Sequence, residues 1–148
     1  MSDPEANKQI IRDFLQTVWA EGDLDALPRF WTPDCVNHAA PAPDGRGLDA
    51  LRAYHEGFLA ALAAFSDVQT GVVQQVAEGD RVVTHLLSRA THSGPFGGVP
   101  ATGRPVTLAA IRIDRLDGGR IAEHWSVSDL TGLMRQIGTW ARPGLDGG

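Results

Sequence analysis

Apolar residues recur at helical spacing near the start of the chain, where Ile10, Ile11, Phe14, Leu15, Val18 and Trp19 form one stripe. Asp3 can cap this helix with Pro4 in its first position, and Glu21-Gly22 ends it. A shorter helical piece is predicted from about Leu24 to Trp31, stopped by Thr32-Pro33, with room for one short strand from Asp34 to His38. Residues Ala39 to Gly47 are too rich in Pro and Gly to be regular. From Leu48 to Phe65 the stripe Leu51, Tyr54, His55, Phe58, Leu62 and Phe65 marks a long helix. The period then changes to two, with extended segments at roughly Asp67 to Ala77, Arg81 to Ser93, Pro105 to Leu116 and Arg120 to Ser128.

Glu78-Gly79-Asp80 and Asp117-Gly118-Gly119 carry the turn residues of tight hairpins, so the first two and the last two segments should pair antiparallel. The longer connection Gly94 to Gly103 permits a sharp reversal and could edge a pocket. A short helix from Asp129 to about Gly138 follows. Helices first and strands afterwards predict an α+β fold, with helices packed on one face of an antiparallel sheet. A strongly curved sheet wrapped around a long helix leaves a cone with an open mouth, a natural small-molecule site. The expected organisation is a single domain over residues 1–140 with a flexible tail, 141–148.

The 148 residues suffice for one domain with its own core. A formal net charge of −5, with no run of Lys and Arg, argues against nucleic acid or an anionic membrane as partner. A hydrophobic or aromatic small molecule fits better. Cys35 is the sole cysteine, and the first residues lack the basic and apolar regions of a signal peptide, so a cytoplasmic location is expected. No apolar run is long enough to span a bilayer.

The stretch from Arg120 to Asp129 draws attention for chemistry. In a regular strand Ile121, Glu123, Trp125 and Val127 share one side, and Ala122, His124, Ser126 and Ser128 the other. The first side is the more apolar and is expected to face the core. Asp129 continues its phase, which would set a carboxyl at the rim of an apolar interior, where desolvation raises its pKa toward neutrality and suits it to acid-base work. The competing reading makes Asp129 only the N-cap of the next helix.

Val36-Asn37-His38, Thr91 to Phe96 with Val99 to Arg104, and Glu123-His124-Trp125 with Asp129 and Gly132 to Gly138 resemble the SnoaL-like polyketide cyclase, or ester cyclase, family, of nuclear transport factor 2-like fold. The resemblance runs from the first helix to about Gly138. It implies a helix-filled cone of curved sheet, and cofactor-free, metal-free closure of a polyketide ring by intramolecular aldol condensation, with Asp129 as acid-base catalyst. Family cyclases also use a histidine on the strand before the last, and Pro105 to Leu116 contains none. Dehydration, isomerisation or ring hydroxylation with an external reductase are alternatives, as is a non-catalytic ligand carrier or dimerising domain.

Of the five histidines, none are spaced to converge on a metal, and no metal or cofactor is expected. His38, at the end of a short strand, is the candidate partner of Asp129. Asn37, Trp125, His92, His55, Phe14 and Trp19 are the candidate substrate contacts, each weighed against a core or structural role; for His92 that role is bonding the Gly-Pro reversal. His124 falls on the face opposite Asp129 in a regular strand and is assigned to the outer face or a dimer contact, an assignment a bulge would overturn. A homodimer is expected, with the side bearing His124, Ser126 and Ser128 meeting its copy. Cys35 reads as an inert thiol. Arg46, Arg52, Arg89, Arg104 and Arg112 are read as surface charges, with the option of a carboxylate-binding arginine among them.

Overall fold

A computed structural model of the chain describes residues 3–41 and 45–138. The first helix, α1 (Pro4–Phe14), opens as its sequence dictates: Asp3 Oδ1 accepts from the Glu5 and Ala6 amides at 3.1 and 3.3 Å. It runs on through a widened π-helical turn, Leu15–Ala20. A short 3₁₀ turn (Leu24–Ala26) and α2 (Leu27–Phe30) lead directly into β1 (Trp31–Asn37), then α3 (Leu48–Leu62). Four strands follow: β2 (Phe65–Glu78), β3 (Arg81–His92), β4 (Pro105–Asp117) and β5 (Arg120–Ser128). The last described helix is α4 (Leu130–Gln136).

The sheet has the order β1-β5-β4-β3-β2. Its hairpins are antiparallel, turning through Gly79 at φ 58° and through Gly118 and Gly119 at φ 58° and 80°. The edge strand β1 pairs parallel with β5, because α3 carries the chain away from it rather than turning it straight back. α1 and α3 fill the concave face. Ile11, Phe14 and Val18 meet Trp31, Leu51, Val82, Leu86, Leu116 and Ile121 there in one core, each large apolar side chain contributing about 1.5–3 kcal/mol by burial. A smaller cluster, Val106, Leu133 and Ile137 with Phe65, Phe96 and Val99 packed on it, ties α4 and the 93–104 connection to the sheet.

Two boundaries differ from the sequence reading. Trp31 is the first residue of β1 rather than the end of a helix, since it pairs with Ile121. The long helix stops at Leu62, because Phe65 already pairs with His92 in the sheet. The tail expected at 141–148 lies outside the described residues.

The larger correction concerns β5. Leu116 pairs with Ile121, but Arg115 pairs with Glu123, so Ala122 is an extra residue, a bulge. Ile121 and Ala122 are both buried, and beyond them the phase is inverted: His124 is buried and Ser126 and Ser128 line internal space, while Val127 is 71% exposed. The side expected to be the core face is the outer face. His124, expected on the outer face or in a dimer contact, is instead buried on the inner one.

Candidate active site

The inverted phase of β5 brings His124 beside β4, where alternation places Val106, Ala110, Arg112, Asp114 and Leu116 on the concave side. Asp114 and His124 are cross-strand neighbours. Asp114 is 0% exposed, and its carboxylate is fully engaged. Arg112 Nε donates to Oδ2 at 2.7 Å and Nη2 to Oδ1 at 2.8 Å, and His124 Nδ1 donates to the same Oδ1 at 2.8 Å. A carboxylate can only accept, so His124 carries its proton on Nδ1. The 3.3 Å approach of Arg112 Nη2 to that nitrogen is then a meeting of two donors at one oxygen. The guanidinium lies over the rings of Phe14 and Trp19, 5.0 and 5.6 Å from their centroids.

Burial alone would raise the Asp114 pKa, but the Arg112 charge and hydrogen bonds and the His124 bond outweigh it and hold the carboxyl at about 2. His124 is pushed below its ordinary value, chiefly by burial and next by Arg112, against the pull of Asp114. Its ring is neutral at pH 7, with Nε2 as the lone-pair atom. The result is a histidine oriented by an aspartate that is itself fixed by an arginine.

His124 lines a small recess of about 60 Å3 with Tyr54, His55, Arg112 and Ser126. Trp19, Phe58, Leu86, Ala110 and Ser128 line both this recess and a larger cavity of about 530 Å3. The larger space is walled mainly by apolar side chains such as Leu15, Leu62, Phe65 and Leu108, with Thr70 and Ser88, bonded to each other at 2.9 Å, among its few polar groups. An apolar chamber with polar groups gathered at one end is the ordinary form of a small-molecule site.

The sequence-derived candidates scatter. Asp129 is exposed and caps α4, Oδ1 accepting from the Gly132 amide at 2.9 Å; it is absent from the cavity walls, and its expected place at the core rim is overturned by the Ala122 bulge. His38 and Trp125 stand on the outer face, their rings stacked 4.8 Å apart, with His38 Nε2 bonded to Glu123 Oε2 at 2.8 Å. Trp125 is accordingly no cavity wall. Asn37, the last residue of β1, is buried, Oδ1 accepting from the Ala39 amide. His92 is buried away from the cavity, Nδ1 accepting from Thr102, so it fixes the 93–104 connection. Phe14 is core, while Trp19 walls the cavity and His55 the recess.

Asp114 was missed, and Arg112, read as a surface charge, is buried. The signal for them was present: two opposite charges at i and i+2, in phase with Val106, Leu108 and Leu116. Among the described residues no group of three His, Cys, Asp or Glu side chains could hold a metal ion, and no helix is long and apolar enough to cross a membrane.

Fold and site define an α+β cone with an apolar cavity. The family model of the SnoaL-like polyketide cyclases matches residues 9–137, and the chain belongs to that family. Among solved structures it is similar to TsrD from Streptomyces laurentii, 28% identical over 95% of this chain and 100% of that one, with a TM-score of 0.77. It is also similar to AclR from Streptomyces galilaeus, provisionally described as a hydroxylase, at 28% identity, 95% and 89% coverage and a TM-score of 0.76. A third is wild-type IdmH from Streptomyces antibioticus, provisionally a polyketide cyclase, at 34% identity, 89% and 98% coverage and a TM-score of 0.75. No curated protein sequence matches the chain.

Proposed function

We propose that the protein catalyses cofactor-free intramolecular aldol cyclisation of a polyketide-type carbonyl compound, with His124, rather than the exposed Asp129, as the acid-base group. The observation that carries this reading is the 2.8 Å bond between His124 Nδ1 and the buried Asp114 at the polar end of an apolar cavity. Nε2 removes a proton from the carbon between two carbonyls, and the resulting enolate carbon attacks a ketone or aldehyde of the same molecule. The proton then passes from Nε2 to the new alkoxide, which leaves the base as it began. Asp114 stabilises the transient imidazolium, and Arg112 keeps Asp114 ionised and in place. Folding the substrate against the Trp19 and Phe58 walls supplies the near-attack geometry, an effect worth roughly 7 to 11 kcal/mol in favourable cases.

The test is deuterium exchange at the acidic methylene of a cyclic or aryl 1,3-diketone, followed by ring closure on a polyketide analogue. His124→Asn is expected to lower exchange by roughly 10² to 10⁴-fold. Undiminished exchange in a folded His124→Asn protein overturns the assignment. Ring hydroxylation is the second reading, favoured by the similarity to AclR; oxygen consumption in a mixture reconstituted with a reductase would support it over aldol closure.

Assembly as a homodimer is part of the same proposal. Its support is the exposed apolar side chains Ile111 and Val127, paired on the outer face of the sheet. Light scattering is expected to give twice the chain mass, and a single-chain mass at micromolar concentration contradicts it.

A further inference from the structure

Two imidazoles from different elements meet at the recess. His55, from α3, is buried, and its Nδ1–H donates to Leu51 O at 2.9 Å; a carbonyl can only accept, so this proton is fixed. His124, from β5, spends its Nδ1–H on Asp114. Each ring therefore has one atom left for a ligand, Nε2, which in a neutral imidazole only accepts. Both rings are neutral at pH 7: burial pushes His55 down to about 4 despite the Leu51 bond, and His124 is lowered as well. Trp31 makes edge contacts with both, at 6.2 and 5.6 Å between centroids, so the pair borders one space.

Among the other groups at the recess, Trp19 and Trp31 carry buried indole N–H donors without a partner among the described residues, so an acceptor can be taken there and selection for a hydrogen falls to the imidazoles. Arg112 is closed on Asp114 and opposes a cationic ligand. The hydroxyls of Ser126 and Tyr54 rotate to give or accept and do not discriminate. The imidazoles cannot adapt, because a change of tautomer would break the Leu51 or the Asp114 bond. A ketone or ether brought to His55 has no hydrogen to offer and leaves a buried acceptor unpaired. A carboxylate adds charge to the same mismatch. A neutral O–H on a flat ring supplies the hydrogen, and its apolar body suits the Trp19, Phe58 and Leu86 walls.

We propose that the recess is a hydroxyl-recognition subsite, in which His55 Nε2 accepts the O–H of a phenol or enol and so decides which edge of the ligand enters. This deepens the catalytic reading, and rests on the cavity being the substrate site. His55 is a positioning residue here; it holds the ring edge while His124 exchanges the proton.

The probes are 2-naphthol and its methyl ether, 2-methoxynaphthalene, titrated calorimetrically at pH 7. The expected result is a preference of about tenfold or more for the naphthol, together with a shift of the His55 Nε2 nitrogen resonance that the ether does not cause. In His55→Leu the preference is expected to vanish while ether binding persists, which also reports that the variant is folded. Equal affinities, binding of neither probe, or a preference that survives His55→Leu overturns the subsite. Should His55→Leu fail to fold, the wild-type nitrogen spectrum decides: an unmoved Nε2 with naphthol bound overturns it. Naphthol preference without any diketone exchange supports the subsite and removes the catalytic reading, and exchange without preference does the reverse.

Discussion

Asp114 and Asp129 show how little a carboxyl's identity says until its surroundings are known. Asp114 is enclosed, forked by Arg112 and bonded to His124, and its role is to stay ionised and hold a base in one orientation. Asp129 lies in solvent with Oδ1 on the Gly132 amide, and a Cβ on Gly132 would run into that carboxylate, so the pair forms one capping unit. Asp129→Ala is therefore expected to cost about 1 kcal/mol of stability in urea unfolding, and to leave diketone exchange within about twofold of wild type. A loss of exchange of a hundredfold at unchanged fold would return the chemistry to Asp129. The cap was legible from the Asp before a helical run, since capping is local chemistry. That Asp129 stands outside the cavity was not, because it depends on a strand's phase fixed elsewhere.

The phase is settled at the level of the element. Four helical or hairpin features followed from local signals: the Asp3-Pro4 start of α1, the stripe of α3, and the two glycine turns that pair β2 with β3 and β4 with β5. Alternation in β5 was also visible, yet its direction was misread, because Ile121 and Trp125 look more core-like than His124 and the serines. One extra residue, Ala122, exchanges the faces of everything after it. Small residues at a bulge give no strong sequence signal, and the partner that sets the register, Arg115 against Glu123, is known only from pairing. β4 carries the same lesson: Ile111 and Ile113 look like the buried series, but the buried charges Arg112 and Asp114 take the concave side because each satisfies the other and Asp114 also accepts from His124. A polar core is predicted poorly by hydrophobicity since its stability comes from bonds between residues, not from any residue alone.

At the scale of the whole molecule, enclosing His55, His124 and Asp114 links the site to the stability of the fold. The sign follows from proton counts. His55 titrates near 4 in the folded chain and near 6.5 unfolded, so between those values the unfolded state binds more protons, and stability rises with pH across that window. His124, also lowered, adds in the same direction. Asp114, at about 2 folded against 3.8 unfolded, extends the loss to still lower pH. The stability contributed by keeping His55 neutral is thus complete above pH 6.5 and lost as pH falls toward 4, where it amounts to about 3 kcal/mol. Urea unfolding followed from pH 7 to pH 4 is expected to show that decline. His55→Leu, which has no proton to take up, is expected to flatten the curve over the same interval whatever its stability at pH 7. Parallel curves for the two proteins would mean that His55 is not held neutral by the fold, and would remove the fixed acceptor on which selection of a hydroxyl depends. Activity should be less acid-sensitive than an ordinary histidine would make it, because a base with a lowered pKa stays unprotonated further into acid.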